Sequence, residues 1–248
     1  MNLWRLEWLR MVRTRRGIAL VGVWAFFGLL GPLTARYLGE ILESVGGGIA
    51  IELPETVPAD GITQFMSNGL QIGLLAVVVV AAAALTLDAD PEMSMFLRTR
   101  VSSINRLIMP RYVVVTVVSV MAFAVGLGLA AYETWALLGG LSAGRIVAGG
   151  LLFALYLAFA VALVAGIGGW LSSVVMTAAV SVGVLVLLAL SGLVESARAW
   201  FPSHLAGSLD ALIRGAEASD YVEAVVVTLV LIPALIWAGL RGYQRREL

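Results

Sequence analysis

The chain has 248 residues and no net charge; 60% of its residues are hydrophobic, 13% are charged, and its mean hydropathy is +0.98. Soluble domains average about 45–50% apolar and 25% charged residues, so the composition excludes a water-soluble globular protein and indicates a membrane protein. Because the sequence has no cysteine, no lysine and one histidine, His204, it excludes disulfides, cysteine or multi-histidine metal sites, P-loop ATPases and lysine Schiff-base enzymes.

The N-terminal segment 1–16 is predicted to be an amphipathic helix that lies in the plane of the membrane. At 100° per residue, Trp4, Trp8 and Met11 share one face, and Arg5 and Arg10 lie on the opposite side. Tryptophans beside arginines are typical of the lipid headgroup layer. The alternatives are a basic anchor that only sets the topology and a signal peptide, which we discount because no small-x-small cleavage site follows.

Runs without charged residues predict six membrane-spanning helices, since a span needs about 20 apolar residues. The longest run, 146–194, divides in two at a glycine-rich turn over 166–173. The connecting stretches reach about 25–30 residues, too short for a second core, so we expect one transmembrane domain over 1–248. The predicted spans are 17–36, 66–87, 112–132, 146–165, 174–194 and 222–240.

Arginine placement orients these spans. Twelve of the sixteen arginines lie in three segments, 5–16, 98–111 and 241–246, which fall on the same side of the membrane. The opposite side has an acidic loop within 40–60. Because cytoplasmic loops are rich in arginine, both termini are predicted to be cytoplasmic.

Neutral polar residues mark a candidate substrate pathway through the spans. Gln64, Asn68 and Gln71 form one stripe at the outer end of the second span, and Thr177 and Ser181 repeat on the fifth. Hydrogen bonding between helices, worth about 0.6 kcal/mol per pair, is the alternative. No acidic residue, lysine or histidine lies at the centre of a span. This pattern argues against ion-coupled transport, voltage sensing and intramembrane proteolysis.

Two connecting segments are predicted to be helical. After the second span, Asp90-Pro-Glu has the pattern of an N-cap and an acidic first turn, and 91–108 forms an amphipathic cytoplasmic helix. That helix is either a membrane-hugging connector or a docking surface for a soluble partner. Residues 195–220 are predicted to form a short interfacial or re-entrant helix pair at the outer mouth, with His204 as an ordinary interfacial residue.

The whole arrangement resembles the membrane subunit of a type-2 ABC exporter. Phe96-Leu-Arg-Thr-Arg-Val-Ser-Ser-Ile-Asn-Arg-Leu-Ile-Met-Pro-Arg111 resembles the cytoplasmic coupling segment of that family, and Ala199-Trp-Phe-Pro202 resembles its outer segment. The ending Arg241-Gly-Tyr-Gln-Arg-Arg-Glu-Leu248 resembles its aromatic-basic-Arg-Glu-Leu tail. Asp90-Pro-Glu-Met-Ser-Met stands where the family usually has Glu-x-x-x-Gly-Thr.

The resemblance implies a permease that exports a hydrophobic or amphiphilic substrate by alternating access, as a homodimer or paired with a related chain. It implies that a separate ABC ATPase holds ATP and Mg²⁺, so this chain has no cofactor and is not an enzyme. The expected location is the cytoplasmic membrane of a prokaryote, with the lipid bilayer but not nucleic acid as a further partner. The first and fifth spans would pack near the dimer axis, where Gly22, Gly28 and Gly183 permit close approach.

The resemblance also implies roles for two sets of residues. The outer gate would be Trp200, Phe201 and Pro202. The residues that couple to the ATPase would be Glu92, Phe96, Leu97, Arg98, Arg100, Val101, Ile104 and Arg106.

Two other classes of protein stay open as alternatives. One is a membrane-anchored structural or assembly factor that moves no solute. The other is an integral-membrane enzyme that acts on lipids. Its only candidate polar cluster, around Glu195, Arg198, His204 and Asp210, has no recognisable catalytic spacing.

Overall fold

The computed structural model of the chain describes residues 3–45, 56–86, 105–192 and 198–245. Within these ranges six helices are long and apolar enough to cross a membrane, which confirms the predicted all-helical, multi-pass architecture. A π-helical turn, Gly69–Gly73, joins α3 to α4 into the second span, and 3₁₀ turns at Pro202–Gly207 and Ala218–Tyr221 flank α8. The helices are α1 (Leu3–Arg13), α2 (Arg16–Val45), α3 (Pro58–Asn68), α4 (Leu74–Leu85), α5 (Asn105–Leu137), α6 (Ala143–Gly168), α7 (Val174–Ser191), α8 (Ser208–Ile213) and α9 (Val222–Arg245).

The third span, α5, begins at Asn105, earlier than the predicted residue 112. The helix continues through Pro110, which lies near its start. Because proline has no N–H, the helix loses one backbone hydrogen bond there, the one to the Arg106 carbonyl. Residues 105–108, predicted to end a separate cytoplasmic helix, are therefore the first turn of this span. The rest of the predicted coupling helix, 91–104, lies outside the described residues.

Close backbone contact joins α2 to α5. A β-carbon at Gly126 would lie 2.5 Å from the carbonyl oxygen of Trp24, and one at Gly28 would meet the backbone of Gly126. Small residues allow such contacts between membrane helices. Gly28, expected near a dimer axis, is thus used inside the chain, whereas a β-carbon at Gly22 or Gly183 would meet open space.

An aromatic cluster fills the centre of the bundle. The ring centroid of the buried Trp24 lies 5.8 Å from that of Phe65, 5.2 Å from that of Phe123 and 6.0 Å from that of Phe153. The π-helical turn makes room for the indole, because a β-carbon at Gly69 or at Gly73 would lie 2.5 or 2.8 Å from a ring carbon of Trp24. The shape of the second span is therefore fitted to the first.

The described part of the predicted outer helix pair, residues 198–221, packs onto the fourth span, and we call it the outer segment. Leu205 and Leu209 are fully buried, and a β-carbon at Gly149 of α6 would lie 2.6 Å from the Cα of Leu209. The Ser208 hydroxyl donates a hydrogen bond to the Leu205 carbonyl at 2.7 Å. This packing fixes the 3₁₀ turn at Pro202–Gly207 against the ends of the spans.

Candidate functional site

An apolar cleft of about 440 Å³ lies between the second, fourth and fifth spans and the outer segment. Its volume is in the range of about 300–1,000 Å³ that is typical of small-molecule pockets. Leu75 and Val186 on its walls are exposed, so the cleft opens at the side of the bundle. Its other apolar walls include Leu70, Leu74, Val78, Val182 and Leu185.

Three polar side chains line this cleft. Gln71 projects from the π-helical turn, a type of turn that is frequent at functional sites. Tyr156 is buried beside Phe153, with their ring centroids 5.9 Å apart, and Ser203 has a buried hydroxyl without a hydrogen-bond partner in the described residues. No charged side chain of the described residues lines the cleft. The cleft therefore suits an uncharged, largely apolar molecule with one or two hydrogen-bonding groups.

The structure brings one of the five predicted pathway residues, Gln71, to the cleft. Gln64 and Asn68 are half-buried on the same span but do not line it. Thr177 and Ser181 are fully buried between helices, where the Ser181 hydroxyl donates to the Thr177 carbonyl at 2.6 Å. Sequence reasoning missed Tyr156 and Ser203; the only available signal for Tyr156 was a polar tip in the middle of an apolar span.

A second site, which is polar, lies at the end of the second span. Arg16 donates a hydrogen bond to the carbonyl of residue 83 at 3.2 Å, and Arg111 donates one to the carbonyl of residue 84 at 3.3 Å. The Tyr243 hydroxyl donates to the carbonyl of residue 85. The last carbonyls of a helix have no partners within it, and cations near them are favourable. These three donors come from the first, third and sixth spans. We call this set the polar cap.

Glu7 of α1 completes the polar cap. Its Oε1 accepts a hydrogen bond from Nε of Arg111 at 3.0 Å, and the two side chains are only 8% and 5% exposed. Arg10 lies 3.9 Å from the same carboxylate but is 44% exposed. The N-terminal helix is therefore fixed to the bundle by a buried ion pair. Glu7 was not predicted as a site residue, although it is the only acidic residue among the N-terminal arginines.

The residues of the predicted apolar face of α1 differ in their burial. Met11 is buried with Glu7 against the bundle, while Trp4 and Trp8 are 48% and 41% exposed on the flank. Arg5 and Arg10 are exposed, as expected for headgroup contact. The helix uses a Glu7–Met11 edge because that edge places the carboxylate beside Arg111.

The fifth span also reaches the polar cap, and the cap's Tyr243 contacts the start of the third span. The Thr86 hydroxyl donates to the Thr177 hydroxyl at 3.2 Å, and Tyr243 packs against Leu107 and Ile108 at the start of α5. Of the eight predicted coupling residues, Arg106 is described and is exposed on that first turn. The other seven, Glu92, Phe96, Leu97, Arg98, Arg100, Val101 and Ile104, lie outside the described residues.

At the opposite end, Arg214 joins the outer segment to the start of the second span. Its Nη2 donates to Asp60 at 2.9 Å and to Thr63 at 2.8 Å, and its Nε donates to Asp210 at 3.1 Å. The hydrogen bond to Asp60 is the main reason that the pKa of Arg214 is raised. No group of three or more acidic or histidine side chains in the described residues could hold a metal ion.

The predicted outer-gate residues take three different positions. Trp200 is exposed, Phe201 is half-buried and Pro202 is buried. None of them lines the cleft, whereas the adjacent Ser203 does. His204 stacks on Tyr221 with centroids 4.5 Å apart, and burial lowers its pKa.

No protein-family profile matches the sequence. The chain is 24% identical over 227 residues to the uncharacterized transmembrane protein YxlG of Bacillus subtilis (strain 168), and the match covers 89% of this chain and 87% of that protein. Together with the six apolar helices, the near full-length similarity decides the broad class. The chain is a multi-pass membrane protein.

Proposed function

We propose that the chain is the permease subunit of an ATP-binding-cassette exporter that carries a hydrophobic or amphiphilic substrate. The observation that carries this proposal is the apolar cleft, which opens at the side of the bundle and has Gln71, Tyr156 and Ser203 as its polar groups. Such a cleft can take up an uncharged molecule directly from the bilayer. When such a molecule moves from the bilayer into the cleft, its apolar part is not exposed to water.

The energy for export comes from a separate ATPase subunit that binds ATP and Mg²⁺. Two features support this assignment. The chain has no lysine for a P-loop, and no titratable carboxylate, lysine or histidine of the described residues lines the cleft to bind a driving ion. The resemblance of segment 96–111 to an ABC coupling segment supplies the docking position.

The polar cap is suited to transmit movement of that docking segment. Segment 87–104 connects Thr86, the last described residue of the second span, to Asn105, the first residue of α5. Both of these residues are next to the polar cap. A displacement of the segment therefore acts on the end of α4, whose other end lines the cleft. Alternating access then requires a movement of the second span relative to the fourth and fifth.

A second permease copy, identical or related, is part of this proposal. Few residues of α7 are buried within the chain, and its exposed face includes Ala179 and the open side of Gly183. Small residues on an exposed membrane helix permit close approach by another helix. We place the complex in the cytoplasmic membrane of a prokaryote.

The test begins with the partner. The tagged chain is purified from its native membrane and the co-purifying proteins are identified by mass spectrometry; an ABC ATPase at equal stoichiometry is the expected result. Recovery of the chain without any ATPase would favour a structural or assembly factor and would refute the proposal.

The second step tests the cleft in proteoliposomes that contain the complex. Ala206→Phe fills the cleft from the outer segment, and Ala124→Phe adds the same ring to the exposed face of α5 as a matched control. ATP hydrolysis stimulated by hydrophobic substrates should fall with Ala206→Phe and stay normal with Ala124→Phe. Normal stimulation in both variants would place the substrate pathway elsewhere.

A further inference from the structure

Two tryptophan–arginine pairs lie side by side at the end of the bundle that carries the polar cap. The guanidinium of Arg241 lies 3.9 Å from the ring centroid of Trp237, and that of Arg245 lies 5.6 Å from the ring centroid of Trp170. The two arginines are one helical turn apart on the exposed face of α9. We call these four residues the Trp–Arg patch.

The packing of α9 on the turn after α6 holds the Trp–Arg patch in place. A β-carbon at Gly239 would lie 2.5 Å from the Ala165 carbonyl oxygen, and one at Gly242 would lie 2.6 Å from that of Gly169, so only glycine allows this approach. Trp170 Nε1 then donates a hydrogen bond to the Ala238 carbonyl at 3.2 Å. The indole under Arg245 is thus fixed by the fold.

The positive charge of the Trp–Arg patch is not neutralised within the described residues. Arg111 and Arg214 have carboxylate partners, whereas Arg241 and Arg245 have no acidic partner in that part of the chain. An aromatic ring against one face of a guanidinium leaves its N–H edge free to bind an oxyanion. Two such edges, one turn apart, match the several oxygens of a phosphate group.

An apolar surface leads along α9 to the Trp–Arg patch. Val226, Val230, Ala234 and Trp237 are exposed on one stripe of the helix, and Arg241 continues that stripe. From Val226 to Trp237 the helix rises about 16 Å, close to the roughly 15 Å thickness of one hydrocarbon leaflet. The order of apolar stripe, tryptophan and arginine follows the order of acyl chain, interface and phosphate in a phospholipid.

We propose that the Trp–Arg patch is a binding site for an anionic phospholipid. Its phosphate lies between the N–H edges of Arg241 and Arg245, and one acyl chain lies along the Val226–Trp237 stripe. The distribution of arginines assigns this lipid to the cytoplasmic leaflet. The site is separate from the cleft and does not depend on the proposed transport function.

The test uses the purified, delipidated full-length chain in detergent, titrated with phosphatidylglycerol or with phosphatidylcholine of the same acyl chains. Native mass spectrometry counts the bound lipids and gives their affinities. We expect the anionic lipid to bind at least about tenfold more tightly, because each arginine near it contributes an electrostatic attraction. Replacing both exposed arginines (Arg241→Gln with Arg245→Gln) should remove this preference.

A matched control replaces two exposed arginines at the opposite end of the bundle, Arg145→Gln with Arg198→Gln, and should keep the preference. Trp170→Leu should weaken it in part, because Arg245 loses the ring beneath it. Equal binding of both lipids by the unmodified chain, or an unchanged preference after loss of Arg241 and Arg245, would overturn the assignment. Displacement of the lipid by millimolar inorganic phosphate would also overturn it, since the site would then recognise the free ion.

Discussion

The buried Glu7–Arg111 ion pair allows a quantitative prediction for the polar cap. Glu7→Gln keeps the shape of the side chain but leaves the guanidinium of Arg111 without a charged partner in a site where both side chains are less than a tenth exposed. Removing one partner of a buried ion pair costs about 3–5 kcal/mol. The glutamine oxygen can still accept a hydrogen bond from Nε, which recovers about 1 kcal/mol. We therefore expect the free energy of unfolding to fall by about 2–4 kcal/mol.

The magnitude can be measured by thermal unfolding of the purified chain in detergent, followed by tryptophan fluorescence. A loss of about 2–4 kcal/mol corresponds to a decrease in Tm of about 5–15 °C for a chain of this size. Arg10→Gln is the matched control, because Arg10 is half-exposed and lies 3.9 Å from the same carboxylate. An exposed pair contributes about 0–1 kcal/mol, so this variant should unfold near the wild-type temperature.

A double variant separates the ion pair from the carbonyl cap. Exchanging the charges, Glu7→Arg with Arg111→Glu, restores an ion pair but loses the hydrogen bond from Arg111 to the Ala84 carbonyl. We expect recovery of only part of the stability lost in Glu7→Gln. If Glu7→Gln unfolds at the same temperature as Arg10→Gln, the ion pair does not hold α1 and the reasoning is wrong.

Three further predictions concern topology, docking and pH. In this cysteine-free chain, a single cysteine at Arg145 should react with a membrane-impermeant reagent added from the outside. A single cysteine at Arg106 should react only after permeabilisation, and the reverse pattern would overturn the orientation. Arg98→Glu with Arg106→Glu should give a folded chain that loses the proposed ATPase partner during purification, because like charges at a packed interface cost several kcal/mol. Retention of that partner at wild-type stoichiometry would contradict docking at 91–108. Because burial lowers the pKa of His204 in the folded chain, the unfolded chain binds a proton at this residue more readily than the folded chain does. The free energy of unfolding should therefore fall as pH drops below about 6.5, and unfolding measurements on His204→Gln should show a weaker pH dependence.

The spans could be predicted from the sequence because the cost of placing charge in a bilayer acts on each segment separately. Ends of helices depend on more than one segment. The start of α5 lies before residue 112 because Leu107 and Ile108 pack on Tyr243, more than a hundred residues away. The orientation of α1 likewise depends on Arg111, which no periodicity within residues 1–16 reveals.

The cleft was less accessible to sequence reasoning than the spans. Gln71 was identified because a polar amide in an apolar run is costly unless it has a purpose. Thr177 and Ser181 have the same polarity in the sequence, yet their hydroxyls are satisfied by Thr86 and by a backbone carbonyl. Hydroxyls can bond within or between helices, so their presence alone does not distinguish packing from a substrate contact.

The second span connects the two sites of the molecule. Its end at residues 83–86 is held by the polar cap, and its π-helical turn places Gln71 at the cleft. The polar cap and the π-helical turn are joined by α4, a helix of 12 residues that is about 18 Å long. Because α4 contains no glycine at which it would bend, it can shift along its axis as a rigid unit. Beyond it, Gly69 and Gly73 enclose the indole of Trp24, so a shift of α4 must either carry the first span with it or open that contact. In the proposed mechanism, movement that begins at the polar cap therefore reaches the cleft wall at Val78, Leu75 and Leu74 of α4, and then at Gln71 in the π-helical turn.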